Sequence, residues 1–210
     1  MKISSTLAIA AFVTLCALTS CGNGDSIKEP HSGEFSVSAS QKVMFALQNL
    51  SNGDSELFDY NQYGNLPEGW RLLSAEEWQY LVLKRANALN LTLWATVEGK
   101  KGVIFLPDNY DNSLKLNHIS PKWLKPWDDQ ICLNNTGTDP TTLNVLNGDQ
   151  WRELAEDGAI FLPLNLGSEG GYWQTGDTFL SFNTKFIWPA RGCVASALKN
   201  GVRIAKDVEK

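Results

Sequence analysis

One apolar string occurs twice in the chain. Gly102-Val-Ile-Phe-Leu-Pro107-Asp-Asn109 is echoed by Gly158-Ala-Ile-Phe-Leu-Pro163-Leu-Asn165, with Phe105 and Phe161 in equivalent places. Each run is short and closed by a proline, which has no N–H to give to a sheet ladder, so each reads as a buried strand that stops there. Each copy also follows a Trp-bearing helical segment. The better marked of the two opens at Ser74, where Ser74-Ala75-Glu76-Glu77 has the form of a capping box: the Ser74 oxygen can accept from the third amide, and Glu77 can reach back. Leu73 and Trp78 stand where a hydrophobic staple would sit, and Trp78, Leu81, Val82 and Ala86 fall on one apolar face. The second helix is expected over about Asn147 to Asp157, with Trp151 and Leu154 facing inward and Gly158 ending it. Two copies are too few for a solenoid, which leaves an old duplication or two similar answers to one packing problem inside a single domain.

The rest of the chain reads as more short strands. Phe35-Ser-Val-Ser and Lys42-Val-Met-Phe-Ala46 are rich in β-branched and aromatic residues, as are Tyr172-Trp173, Thr178 to Phe182 and Gly201 to Ala205. Ser51 to Asn65 reads as an irregular loop pinned by Phe58, Tyr60 and Tyr63. Tyr110 to Thr142 reads as a long excursion held down by Trp123, Trp127 and Ile131. Two short helices among many short strands and polar loops predict an α+β domain rather than a parallel βαβ sheet. The composition, 43% hydrophobic and 20% charged over 210 residues, is that of a folded domain, and a net charge of -5 with no basic stripe argues against nucleic-acid binding.

The N-terminus constrains location. Lys2 followed by the apolar stretch Leu7 to Leu18 reads as a secretory signal over residues 1 to 20, too short to span a bilayer stably. It ends Leu18-Thr19-Ser20-Cys21-Gly22, which resembles the bacterial lipoprotein box, so Cys21 is the expected site of lipidation and the membrane anchor. Several acyl chains would hold such a protein firmly where one would not. Residues 21 to 33 are polar apart from Ile27 and read as a tether, with His31 a solvated linker residue. Residues 34 to 210 form the single domain. With Cys16 lost and Cys21 lipidated, Cys132 and Cys193 remain in a compartment that permits disulfides; they either pair or stay as two buried thiols.

The order of these segments resembles a group of Bacteroidetes envelope lipoproteins with a C-type-lectin-like domain, related in fold to the sulfatase-modifying factors. The carriers are Phe35-Ser-Val-Ser with Lys42-Val-Met-Phe, then Leu66-Pro-Glu-Gly-Trp-Arg-Leu-Leu-Ser-Ala-Glu-Glu-Trp78. Both Phe-Leu-Pro strings, Gly171-Tyr-Trp173 and the closing Val202-Arg-Ile-Ala-Lys-Asp207 complete them. The resemblance implies first and last strands that pair, two helices flanking an irregular antiparallel sheet, and long loops on one side.

The relatives suggest two chemistries, and the residues fit neither well. Formylglycine-generating oxidases use two close, copper-binding cysteines, whereas Cys132 and Cys193 are far apart in sequence. Calcium-dependent lectins use tripeptides such as Glu-Pro-Asn. Here Trp127-Asp128-Asp129 is a loose echo, and Asp108, Asp111, Asp128 and Asp129 could meet in space or stay as solvated loop acids. No Gly-x-Ser-x-Gly elbow accompanies His118, the one histidine in the domain, and Glu76 with Glu77, or Glu153 with Glu156, fit caps and exposed helix faces. No catalytic residue, metal site or cofactor is expected. Of eight tryptophans, Trp70, Trp78, Trp151 and Trp173 are expected in the core, and Trp123, Trp127 and Trp188 in loops where flat rings could meet a sugar or a protein. Arg71 and Arg203 are expected to make buried or bidentate hydrogen bonds. The expected function is a non-enzymatic cell-envelope lipoprotein binding a glycan or a protein, with a structural or assembly lipoprotein as the alternative.

Overall fold

The structure, a computed structural model, describes residues 33–209 except 54, 61, 112–113, 119–123, 128–129, 134–138, 177 and 193–198. The leader, Cys21, His31, Trp123 and Cys193 lie outside the described residues, and with them the expected lipidation and the Cys132–Cys193 pairing.

The class is α+β, with two α-helices and three sheets among the described residues. The first sheet joins the two ends of the domain. Its strands β1 (Phe35–Ser36), β2 (Lys42–Phe45) and β4 (Trp70–Arg71) take β15 (Ala205–Asp207) between the last two, in the order β1-β2-β15-β4. The last strand therefore pairs with β2, Ala205 opposite Phe45, rather than with the first strand.

The central sheet, β10-β6-β5-β9, contains both copies of the echo. They are β6 (Lys100–Phe105) and β10 (Ile160–Pro163), antiparallel neighbours beside β5 (Thr92–Val97) and the short β9 (Val145–Leu146). Trp94, Val103, Phe105, Ile160 and Leu162 project from one face into the main core. Leu93, Ala95, Val97, Ile104 and Leu106 project from the other into a second core. Burial on both faces explains why β5 lacks the apolar and polar alternation by which a strand is recognised, and why the sequence reading passed over it.

The third sheet has seven strands. In spatial order they are β3 (Leu57–Phe58), β14 (Asn200–Gly201), β11 (Glu169–Trp173), β12 (Thr178–Asn183), β13 (Phe186–Gly192), β8 (Gln130–Leu133) and β7 (Leu124–Trp127). Its inner residues Tyr172, Leu180, Phe182 and Ile187 close the main core from the opposite side.

Helix α1 (Ala75–Gln79) forms as its capping box predicts: the Glu77 amide donates to Ser74 Oγ at 3.2 Å, and the Ser74 amide donates to Glu77 Oε2 at 2.8 Å. Trp78 is 1% exposed and packs at a tilt against Phe45 and Phe105, its ring centroid 5.4 and 5.8 Å from theirs. The helix runs into a π-helical turn over Tyr80–Lys84, which changes the phase of the face. The side chain turned inward is therefore Arg85, and the expected Ala86 is exposed. Helix α2 (Gly148–Glu156) has a second capping box from Asn147 and Gln150 and ends at Gly158, which takes φ +89°. It leads directly into β10, whereas β5 intervenes between α1 and β6, so only the second copy is a helix followed at once by its strand. Trp173 is buried as expected, but Trp70 and Trp151 are half-buried, Trp151 standing edge-on to Phe161.

Candidate functional site

The three expected ligand-facing tryptophans are placed unequally. Trp123 lies outside the described residues. Trp127 ends β7, the outermost strand of the seven-stranded sheet, opposite Gln130 of β8. Trp188 is half-buried on β13, opposite Ser181. Thus Trp127 and Trp188 belong to strands, not loops. The long excursion from Tyr110 to Thr142 contains the β7–β8 hairpin, which pairs with β13 through Ile187 opposite Ile131 and Phe186 opposite Cys132.

Of the acids considered for a cation, Asp108 is spent, Asp111 is exposed, and Asp128 and Asp129 are out of view. Asp108 accepts from Arg85 at 3.0 Å through Oδ1, and from the Ser36 amide at 2.9 Å and Ser36 Oγ at 2.5 Å through Oδ2. It ties β1 to the end of the π-turn, and it is the counterion that offsets the cost of burying Arg85. Even so, burial brings that guanidinium down to about 10. Asp128 and Asp129 lie outside the described residues. Among the described residues no group of three or more His, Cys, Asp and Glu side chains could hold a metal ion. Glu77 is taken by the cap and by a two-pronged contact with Arg71, at 2.7 and 2.8 Å, and Arg71 also reaches Asp207 at 2.7 Å. Bidentate pairing is the role expected for Arg71, and Glu77 and Asp207 hold its pKa above the ordinary arginine range against the opposing effect of burial.

Arg203 is the least ordinary of these groups. It is 3% exposed and forms no ion pair among the described residues. Its Nη1 donates to the Ala46 carbonyl at 2.7 Å, its Nη2 to the Phe161 carbonyl at 2.8 Å, and its Nε to Asn49 Oδ1 at 3.0 Å. Burial pulls it down to about 10, against the opposing pull of Tyr172 and Glu56. Asn49 relays the contact outward, since its Nδ2 donates to Glu56 Oε2 at 2.9 Å and to the Tyr172 hydroxyl at 3.3 Å. Burial raises the Tyr172 pKa, so the phenol stays protonated and can donate to the Pro163 carbonyl at 3.4 Å.

The relay ends at an open groove of about 520 Å³. Glu56, Lys100, Lys101, Pro163, Leu164 and Asn165 are among the residues that line it. Asn165 is locked to the backbone of Gly171, accepting from its amide at 2.9 Å and donating to its carbonyl at 3.0 Å. Lys101 is paired with Asp139 at 2.6 Å. Of these residues the sequence marks Pro163, Leu164 and Asn165, as the end of the second echo. Asn49, Glu56, Lys100 and Tyr172 carry no local pattern that marks them as neighbours. A comparison of the chain with protein-family models, curated proteins and solved structures finds no match.

Proposed function

We propose that this is a non-enzymatic lipoprotein of the bacterial cell envelope, held in the outer membrane through Cys21, whose single C-type-lectin-like domain binds a glycan or a protein. The lectin-like assignment is supported by the pairing of β15 with β2, which brings the ends of the domain together, and by two short helices set against irregular sheets.

The observation that carries the binding reading is the register at the end of the seven-stranded sheet. Trp127 lies opposite Gln130, and one step along β13 from the Ile187–Ile131 pair brings Trp188 level with the same glutamine. The register sets a tryptophan, a glutamine and a tryptophan position in one row across three neighbouring strands, residue types that offer a flat ring and an amide able to donate and accept. Surfaces that stack on sugar rings or receive a partner's side chains have this chemistry.

Two measurements test the proposal. In cells fed a fatty-acid probe, the protein should be labelled and Cys21→Ala should be unlabelled and released from membranes; labelling that persists in the variant would sink the anchor. Thermal unfolding against an oligosaccharide panel, with and without Ca²⁺, should show an upward shift that Trp188→Ala removes. A ligand at a hundred times its dissociation constant adds about 2.7 kcal/mol. A flat response across the panel would favour the assembly role.

A further inference from the structure

We propose that the groove lined by Glu56 and Lys100 binds a short peptide by its two free ends, the terminal ammonium at Glu56 and the terminal carboxylate at Lys100. This site is separate from the tryptophan row, and it stands whether or not that row takes a ligand.

Two opposite charges line this groove without pairing with each other. Glu56 Oε2 accepts from Asn49 Nδ2 at 2.9 Å, and Asn49 Oδ1 accepts from Arg203 Nε at 3.0 Å. Arg203 is anchored in turn on the Ala46 and Phe161 carbonyls. The carboxylate is thus positioned through Asn49 by a buried cation, and it has little freedom left to lose when a ligand reaches it. Lys100 is exposed at the first position of β6, and its ammonium has no ion pair or hydrogen bond among the described residues. Its neighbour Lys101 is spent on Asp139.

Two consecutive residues lead from the neighbourhood of one charge to that of the other. The Leu164 amide donates to the Lys101 carbonyl at 2.8 Å, which fixes Leu164 beside the start of β6. A Cβ on Gly201 would come within 2.8 Å of Asn165 Nδ2, and Gly201 pairs with Leu57, the residue after Glu56. Pro163 and Leu164 are half-buried and offer apolar surface to a ligand's side chains.

Charge then selects the ligand. A simple anion drawn to Lys100 meets Glu56, and a simple cation drawn to Glu56 meets Lys100, whereas a molecule with one charge of each sign at its ends satisfies both. A peptide with free termini is built in this way. The volume, about 520 Å³, falls within the roughly 300–1,000 Å³ of small-ligand sites and has room for a few residues rather than one.

Titration calorimetry on the full chain at low ionic strength tests the site, with tri-alanine and tri-leucine as probes, each also in N-acetylated and C-amidated form. At least one free peptide should bind, and blocking either end should weaken it about fivefold or more. Glu56→Gln and Lys100→Ala should each weaken the free peptide to a similar extent. In Lys100→Ala, amidation should cost nothing further, because the group that reads the carboxylate is gone. Lys100 is exposed and its ammonium unpaired, so its variant decides the question even if Glu56→Gln fails to fold. Binding that ignores both blocks, an amidation penalty that persists in Lys100→Ala, or no binding of either free peptide overturns the site. Each of these outcomes leaves the lipid anchor and the tryptophan row to their own tests.

Discussion

Strands β6 and β10 contain the same letters and put them to opposite uses. In β6, Phe105 is fully buried in the main core against Trp78; in β10, the equivalent Phe161 is half-buried on the other face of the same sheet, against Trp151. The reason is register. The strands are antiparallel with Phe105 opposite Ile160 and Ile104 opposite Phe161, and an offset of one residue sends equivalent side chains to opposite faces. The glycines that open the two copies differ as well. Gly102 lies inside β6, where a Cβ would strike the Leu162 carbonyl and the Phe161 ring. Gly158 lies beyond α2 in the left-handed region, against Gly33. A repeated string therefore specifies strand, length and stop, and its neighbours decide which face is buried. Of the two origins open for the echo, this geometry favours two similar answers to one packing problem.

The contrast between the phenylalanines should give the largest effect. Phe105→Ala removes a fully buried ring and should cost about 3–5 kcal/mol by denaturant unfolding, whereas Phe161→Ala, already half in water, should cost less than half of that. Equal losses would break the distinction between the two faces.

The glycines sharpen the comparison. Gly102→Ala should cost roughly 1–3 kcal/mol through overpacking against Leu162 and Phe161, and Gly158→Ala should cost more, because a left-handed φ is added to a Cβ that would meet the Gly33 backbone. Denaturant unfolding of the two variants side by side checks the order, and equal losses would remove the left-handed strain from the account.

The smallest effect concerns a tie that β6 has through Lys101. Burial tends to raise the Asp139 pKa, but hydrogen bonds from Lys101 and Thr141 outweigh it and hold it below the ordinary aspartate range. A carboxyl depressed in the folded state contributes stability above its unfolded pKa and loses it as the pH falls through the folded one. Melting temperature followed from pH 7 to acid should therefore decline less steeply in Asp139→Asn than in the parent; parallel curves would remove Asp139 from the account.

Local instructions were legible in the sequence. Ser74 with Glu77 is a cap wherever the chain goes, since both bonds close within four residues, and Gly158 and Pro163 end their elements by their own backbone chemistry. The α+β class and Trp78 as a core anchor followed from such signals. The half-burial of Trp70 and Trp151 did not, because it depends on which partners cover each ring. Nor did Arg85 in place of Ala86, because one π-turn rotated the face.

What the sequence determined by itself was where elements start, stop and turn an apolar side. Only the tertiary structure decided the register of β6 on β10, the row that joins Trp127 to Trp188, and the path from Arg203 through Asn49 to Glu56. The physical reason is distance along the chain. Arg203 and Asn49 are 154 residues apart and meet only once β15 has returned to β2. No periodicity or motif encodes a contact between residues so far apart in the chain, so the groove became visible only in the folded structure.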